Sequence, residues 1–319
     1  MDRRRLAGVL LAAVAACGYG TGPLFAKSVY GAGMDWLGLV FWRFLIGGLL
    51  LWALVLLVGS NRAGLRALPR RRALAALGLG AFFVANAGSY YAGLQWISAS
   101  LASLIIYVYP ALVAVLSIRW GQGLQGRRPW FALVVVLVGV ALTIGGVETR
   151  AEPIGIALLI VSPCCYSAYI LLSARFAGER RGVAAHDRVG ADGAVPPVVV
   201  AAVMLVGTSG LTTVLAAAAG EPMLPWLVPP EAWFGLTGIA VVSTALAISA
   251  FYAGAARIGA ANAALVSTVE PVWTITLAVT LFSESLTPVQ VVGGALILGG
   301  VLFAQTTPGA TIEAVREEP

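Results

Sequence analysis

The sequence has little charge, a single histidine and only three cysteines, and each shortage excludes a class of protein. Charged residues make up 11% of the chain, whereas a water-soluble domain carries roughly a quarter. The cysteines, Cys17, Cys164 and Cys165, all lie in apolar runs, which argues against an extracellular disulfide framework. The sequence has one histidine and no group of residues at the spacing of metal ligands, so we expect neither a metal site nor a cofactor.

Signatures of catalysis are missing as well. The sequence contains no phosphate-binding glycine loop, no nucleophile elbow and no pair of catalytic carboxylates. A sensor would need an attached output domain, and no segment is long enough to form one. We therefore predict that the protein is not an enzyme, and a membrane-integral enzyme or sensory anchor is the least favoured alternative.

Apolar residues are what the chain has in excess. They form 60% of its 319 residues, and the mean hydropathy is +0.92. Such a chain has lipid as its solvent, and its continuous apolar runs predict helices because lipid offers no partners for open backbone groups. At about 20 residues per span, roughly ten spans fill the length. The predicted spans are 6–26, 36–59, 73–95, 98–118, 129–147, 153–174, 195–219, 232–255, 260–282 and 287–305.

Lysine and arginine fall mostly in alternate loops. One set of loops holds seventeen of the twenty basic residues, in the N-terminus, 60–72, 119–128 and 175–194, at Arg257 and at Arg316. The other set holds only Lys27 and Arg150, and Arg43 lies within a span. The positive-inside rule then predicts that both termini are cytoplasmic. The net charge of +6 is explained by these loops, so no nucleic-acid partner is expected.

The chain repeats itself. A shift of 161 positions places Tyr91–Thr143 on Tyr252–Ala304 without a gap, and a shift of 147 places Gly8–Tyr19 on Gly155–Tyr166. The predicted halves are 1–148 and 149–306, followed by a cytoplasmic tail at 307–319. Since each half holds an odd number of spans, the halves insert in opposite orientations. Inverted repeats of this kind are typical of alternating-access transporters.

The N-terminus also resembles a signal peptide, because Arg3–Arg5 precede an apolar run and Val14–Cys17 resembles a lipoprotein cleavage box. However, the apolar run continues to Phe25 and matches the internal segment Gly155–Tyr169. We therefore expect an uncleaved first helix.

Glu270 is the only acidic residue deep inside a predicted span, and it precedes Pro271. A carboxyl in a membrane is costly and usually faces a cavity, while the proline should loosen the helix. Glu270 is therefore the candidate for proton coupling; an ion pair, an amine-binding group or a purely structural carboxyl are the alternatives. Ser267, Glu270 and Thr274 are spaced to share one helical face.

Tyrosines and small polar side chains recur in the core spans at helical spacing. The spacing predicts one face with Asn86, Tyr90 and Gly93 in the third span and one with Ser100, Ser103 and Tyr107 in the fourth. Such a set suits a small solute with polar and apolar parts. The predicted cavity residues are Tyr19, Asn86, Tyr90, Tyr107, Tyr166, Tyr169, Ser267 and Glu270.

Two basic residues within or at the end of spans have open roles. Arg43 could bind a substrate carboxylate, but snorkelling to the interface is slightly favoured. Lys27 is expected to anchor the first helix at the interface, with an outer vestibule as the alternative. The glycines of the last span, including Gly293 and Gly294, could pack within a monomer or form a dimer.

Two segments near the C-terminus resemble the closing signature of the EamA domain of the drug/metabolite transporter superfamily. They are Leu281–Thr287 and Gly293–Val301, and Glu270–Val272 and Trp42–Phe44 resemble the same domain. The first unit departs from the pattern, since Gly123 and Tyr109 stand where the second unit has Glu284 and Glu270. Any carboxylate-dependent step would therefore belong to the second half.

The resemblance implies a ten-helix fold of two inverted five-helix repeats around a central cavity. The first, third, fourth, sixth, eighth and ninth helices would line this cavity, and the fifth and tenth would pack peripherally. It also implies export of amino acids or similar small metabolites through a bacterial-type cytoplasmic membrane, as YddG-type exporters do. We expect the chain to act as a monomer, with a dimer as the alternative. Efflux of cationic drugs or nucleotide-sugars is the alternative.

Overall fold

The structure is a computed structural model that describes residues 3–109, 112–113, 116, 128–145, 152–176 and 195–305. Within these ranges the regular elements are helices. They are α1 (Arg3–Gly31), α2 (Trp36–Leu57), α3 (Gly59–Ala67), α4 (Arg70–Leu94), α5 (Ala99–Ile106), α6 (Arg128–Gly145), α7 (Pro153–Phe176), α8 (Pro197–Ala219), α9 (Ala232–Ile258), α10 (Ala260–Ser267), α11 (Val269–Phe282) and α12 (Pro288–Gln305). The predicted linker 175–194 lies almost wholly outside the described residues, as do Pro110, Gly123 and the tail 307–319.

Six of the described helices, α1, α2, α4, α7, α8 and α9, are long and apolar enough to cross a membrane. Shorter apolar stretches occupy Leu133–Thr143, Val269–Phe282 and Pro288–Phe303. The all-helical membrane architecture is therefore confirmed, and the count of ten spans stays a prediction. Three helices begin at a proline, at Pro153, Pro197 and Pro288, where the missing N–H costs no helical hydrogen bond.

Part of the segment 60–72, which the sequence predicts as a loop, is the short helix α3. It turns Asn61 and Gly64 inward and exposes Arg62 and Arg66. Gly64 packs against Pro196, directly before α8. Arg62 and Arg66, two of the basic residues assigned to this loop, therefore lie on the exposed side of a short helix.

The two halves exchange their first helices. α1 packs along α9, and α7 packs along α4. Each contact depends on glycine: a Cβ on Gly254 would lie 3.0 Å from the Gly8 carbonyl oxygen, and one on Gly93 would lie 3.0 Å from the Gly155 carbonyl oxygen. These two pairs are equivalent under the sequence repeat, so the internal similarity extends to the tertiary contacts.

The last helix uses its glycine face inside the chain. A Cβ on Gly293 would meet the Thr143 side chain and the Gly139 carbonyl of α6, and one on Gly294 would meet Leu104 of α5. Gly293 and Gly294 are therefore used for close packing within the protein, whereas Gly299 of the same helix is exposed.

Helices are interrupted at equivalent places in the two halves. α5 ends at Ile106, and Tyr107 has ψ near 5°; α10 ends at Ser267, and Thr268 has ψ near −10° before α11 begins. Tyr107 and Thr268 are equivalent under the shift of 161, and each lies three residues before a proline in the sequence. The expected loosening of the helix at Pro271 is confirmed, because a proline removes the donor to the carbonyl four residues earlier.

Candidate functional site

A cavity of about 290 Å³ lies between the two halves, near the lower end of the range for small-molecule sites. Its described lining residues are Tyr19, Pro23, Arg43, Phe83, Asn86, Ala87, Tyr90, Tyr91, Ser103, Ile106, Tyr107, Tyr109, Tyr166, Phe251, Ser267, Glu270 and Thr274. They come from the expected helices α1, α4, α5, α7, α9 and α10–α11, with the break after α5 included. Arg43 of α2 is an addition that the resemblance did not imply.

Seven of the eight predicted cavity residues lie on this wall, and Tyr169 lies behind it. The Tyr169 ring is stacked on Tyr166, with centroids 6.0 Å apart, and its hydroxyl donates to the Met204 sulfur at 3.6 Å. The structure thus brings the predicted set together, and a role for it in substrate binding stays a prediction.

Glu270 and Tyr107 meet at the helix break. The Tyr107 hydroxyl lies 2.8 Å from the Ser267 carbonyl oxygen and 3.1 Å from Glu270 Oε2. Ser267 is the residue whose carbonyl loses its helical partner to Pro271, so the tyrosine replaces the missing donor. A phenol has one hydrogen to donate, and it cannot satisfy the carbonyl and a carboxylate at once.

The protonation state of Glu270 therefore decides which acceptor the Tyr107 hydroxyl serves. A protonated Glu270 can donate to the phenol oxygen, which leaves the phenol hydrogen for the Ser267 carbonyl. An ionised Glu270 attracts that hydrogen and leaves the carbonyl unpaired. This geometry can pass a change of protonation to the backbone of a broken helix.

Arg43 points into the cavity, so its snorkelling interpretation is wrong. Its Nε donates to Thr244 Oγ1 at 3.0 Å, its Nη2 donates to the Ser243 carbonyl at 3.3 Å, and its Nη1 donates to the Tyr91 hydroxyl. Ser243 and Thr244 lie on a π-helical turn, Val241–Leu246, within α9. Such a turn widens the helix and often occurs at functional sites.

Aromatic rings connect the surroundings of the two charges. From Arg43 the rings of Phe44, Phe83, Tyr166, Tyr109 and Tyr107 follow one another to Glu270. Successive centroids along this aromatic wall are 4.7 to 6.3 Å apart, the range of favourable edge-to-face pairs. The cavity is thus lined by two groups that can carry opposite charges, Arg43 and Glu270, and by four rings of this series, Phe83, Tyr107, Tyr109 and Tyr166.

Asn86 and its expected neighbours divide between cavity and packing. Asn86 lines the cavity, and its side-chain oxygen accepts a hydrogen bond from Ser162 Oγ at 2.9 Å. Gly93, expected on the same face as Asn86, packs against α7. Ser100, expected on the same face as Ser103 and Tyr107, is buried outside the cavity lining.

One end of the bundle is tied together by Lys27 and Glu284. Lys27 Nζ donates to the Ile97 carbonyl at 2.6 Å. The Glu284 carboxylate accepts from the backbone N–H groups of Ala99 and Ser100 at 2.9 and 3.0 Å, at the first turn of α5. A carboxylate stabilises a helix N-terminus, so the second half caps a helix of the first. Lys27 binds the loop beside this cap, which the sequence did not predict.

Several lining residues were missed by the sequence reasoning. Phe83, Phe251 and Tyr109 line the cavity, and the only available signal concerned Tyr109, which is the repeat equivalent of Glu270. Local sequence does not reveal that Arg43 faces the cavity, because its neighbours on α9 lie some two hundred positions further along the chain.

Several known proteins resemble this chain. A solved crystal structure aligns with 94% of this chain and 97% of its own, with a TM-score of 0.62 and 23% identity, which shows a shared fold. An uncharacterized transporter of Bacillus subtilis, YcbK, is 29% identical over 68% of this chain and 65% of its own length. The threonine/homoserine exporter RhtA of Escherichia coli is 27% identical over 72% of this chain and 68% of its own. The matched region thus spans about two thirds of the length of these relatives.

A family model adds the decisive comparison. The EamA-like transporter family matches residues 6–145 and again residues 153–306. The two matches cover nearly all of the described helices and agree with the apolar spans, the repeat and the cavity between the halves. The chain belongs to the EamA-like transporter family and is a multi-pass membrane protein.

Proposed function

We propose that the protein exports amino acids or similar small metabolites by alternating access. The observation that carries this proposal is the cavity between the two halves. Part of its lining comes from the helix breaks after α5 and before α11. Its volume of about 290 Å³ suits a small solute. The similarity to RhtA, a threonine/homoserine exporter, supports a cargo of amino acids about the size of threonine, with an uncharged polar side chain.

The paired breaks supply hinges for the change of access. In inverted-repeat transporters, substrate sites lie at discontinuous helices between the repeats. The break before α11 and the end of α5 lie beside Glu270 and contact each other through Tyr107. In this proposal the ten spans place the cavity in a bacterial-type cytoplasmic membrane, with both termini in the cytoplasm and the chain acting as a monomer.

Glu270 is the candidate for proton coupling within this mechanism. Protonation frees the Tyr107 hydrogen for the Ser267 carbonyl and stabilises the break in one geometry. Loss of the proton redirects that hydrogen to the carboxylate. The other polar groups of the described cavity lining are tyrosine, serine and threonine hydroxyls, the Asn86 amide and the Arg43 guanidinium. A facilitative carrier is the alternative, in which Glu270 only binds substrate.

A cationic solute is the second candidate, because Glu270 and the aromatic wall both favour a cation. Arg43 opposes it. Nucleotide-sugars are disfavoured because Arg43 is the only basic residue in the described lining of the cavity.

The test is uptake of labelled amino acids, including threonine and homoserine, into proteoliposomes with and without a pH gradient. Wild type is compared with Glu270→Gln, which keeps the shape of the side chain and removes its titration. Wild type should move several amino acids, and the variant should lose the gradient-driven part. A folded wild-type protein that moves cationic dyes but no amino acid would overturn the proposal.

A further inference from the structure

Arg43 carries a charge that the described part of the chain does not neutralise. Its recorded hydrogen-bond partners are two hydroxyls and one carbonyl, all uncharged. Its guanidinium also lies 5.2 Å from the Phe44 ring centroid and 5.0 Å from that of Tyr91. A charged side chain at membrane depth is costly, and one that faces a cavity without a counter-charge usually serves a ligand.

The guanidinium is held in place and still has hydrogens to offer. An arginine has five N–H donors in a planar fork, and the recorded contacts use one each at Nε, Nη1 and Nη2. Two N–H groups therefore remain, one on each terminal nitrogen. A carboxylate can accept one hydrogen bond from each of these two terminal nitrogens in a bidentate pair. The π-helical turn and Tyr91 fix the plane of the fork.

The opposite charge of the cavity completes the pattern. Glu270 is the only acidic residue among the described lining residues, and Arg43 and four rings of the aromatic wall line the same cavity. Tyr19 and Tyr90 line this cavity together with both charges. A solute that satisfies both must carry an anionic and a cationic group, with an apolar part against the rings.

We propose that Arg43 binds the carboxylate of the transported solute and Glu270 its ammonium group, so that the cavity selects zwitterionic α-amino acids. The proposal rests on the proposed function and adds how the cargo is recognised. It distinguishes an amino acid from the corresponding amine, amide or carboxylic acid, each of which leaves one buried charge of the site unpaired.

The experiment compares L-threonine with three compounds that each change one of its charged groups: L-threoninamide, 1-amino-2-propanol, which lacks the carboxyl group, and 3-hydroxybutyrate, which lacks the amino group. Their competition with labelled threonine is measured in proteoliposomes, and their thermal protection of the protein is measured in detergent. In wild type, threonine should bind best by at least about tenfold, the range of a charge-assisted hydrogen bond.

Two variants and a control locate the effect. Arg43→Gln should reduce the preference for threonine over threoninamide at least about tenfold. Arg43→Lys should keep the direction of that preference but weaken it, because an ammonium lacks the fork. Arg257→Gln removes an exposed cation, bonded to the Ala253 carbonyl, and should leave the preference unchanged.

The outcomes separate the two proposals. If wild type moves no amino acid, the proposed function fails and this inference fails with it. If wild type moves amino acids but threonine and threoninamide protect it equally, only the inference is overturned. This outcome is measured on the wild-type protein alone. If Arg43→Gln folds and keeps the wild-type preference, Arg43 is a packing residue of α2 and the inference is likewise overturned.

Discussion

Replacing Tyr107 by phenylalanine isolates the hydroxyl at the helix break. The ring remains, so the edge-to-face contact with Tyr109 at 6.0 Å and the shape of the cavity are preserved. The variant loses the donor that lies 2.8 Å from the Ser267 carbonyl and 3.1 Å from Glu270. A buried acceptor left without a partner costs about 1–3 kcal/mol, and we expect the free energy of unfolding to fall by that amount.

Tyr90→Phe is the matched control. Tyr90 lines the same cavity, and its hydroxyl has no recorded hydrogen bond to the described residues, so its removal should change stability by less than about 0.5 kcal/mol. The measurement is unfolding in mixed micelles of mild detergent and dodecyl sulfate, followed by tryptophan fluorescence. If Tyr107→Phe costs no more stability than Tyr90→Phe, the Ser267 carbonyl has another partner and the Tyr107 hydroxyl does not stabilise the break.

Two further substitutions test the packing between the halves. Glu284→Ala removes the cap of α5 and should cost about 1–2 kcal/mol of stability in the same unfolding assay; an equal loss in the exposed control Glu231→Ala would contradict the capping role. Gly155→Ala should destabilise the protein by about 1–3 kcal/mol, because its Cβ would lie 2.7 Å from that of Trp96. Gly78→Ala, which meets open space, should gain about 0.5–1 kcal/mol, and a gain at both positions would show that α7 can move away from its neighbours.

The sequence contained most of the architecture, because membrane helices are determined by local composition. Apolar length predicted where α2, α4 and α8 begin and end to within a few residues. Pro271 predicted the interruption of the ninth span, because the loss of its backbone N–H removes a hydrogen bond within the same helix. The repeat indicated two equivalent halves, because the matching residues can be read directly from the sequence.

Contacts between distant segments could not be predicted in this way. Arg43 meets its partners only because α2 lies against a π-helical turn of α9, and no periodicity encodes that turn. Glu284 belongs to a recognisable motif, yet its partners at Ala99 and Ser100 are in the other half. Helical spacing grouped Gly93 with Asn86, whereas Gly93 is used for a close crossing with α7.

The exchange of first helices has a consequence for biosynthesis. α1 leaves the ribosome early, but its main partner α9 begins at Ala232. At roughly 5–20 residues per second, synthesis of the intervening chain takes about 10–40 seconds. During that interval the small-residue face of α1, with Gly8 and Ala12, has only lipid or the insertion machinery against it. The first half therefore cannot mature as an independent unit, and assembly completes only when the second half has entered the membrane.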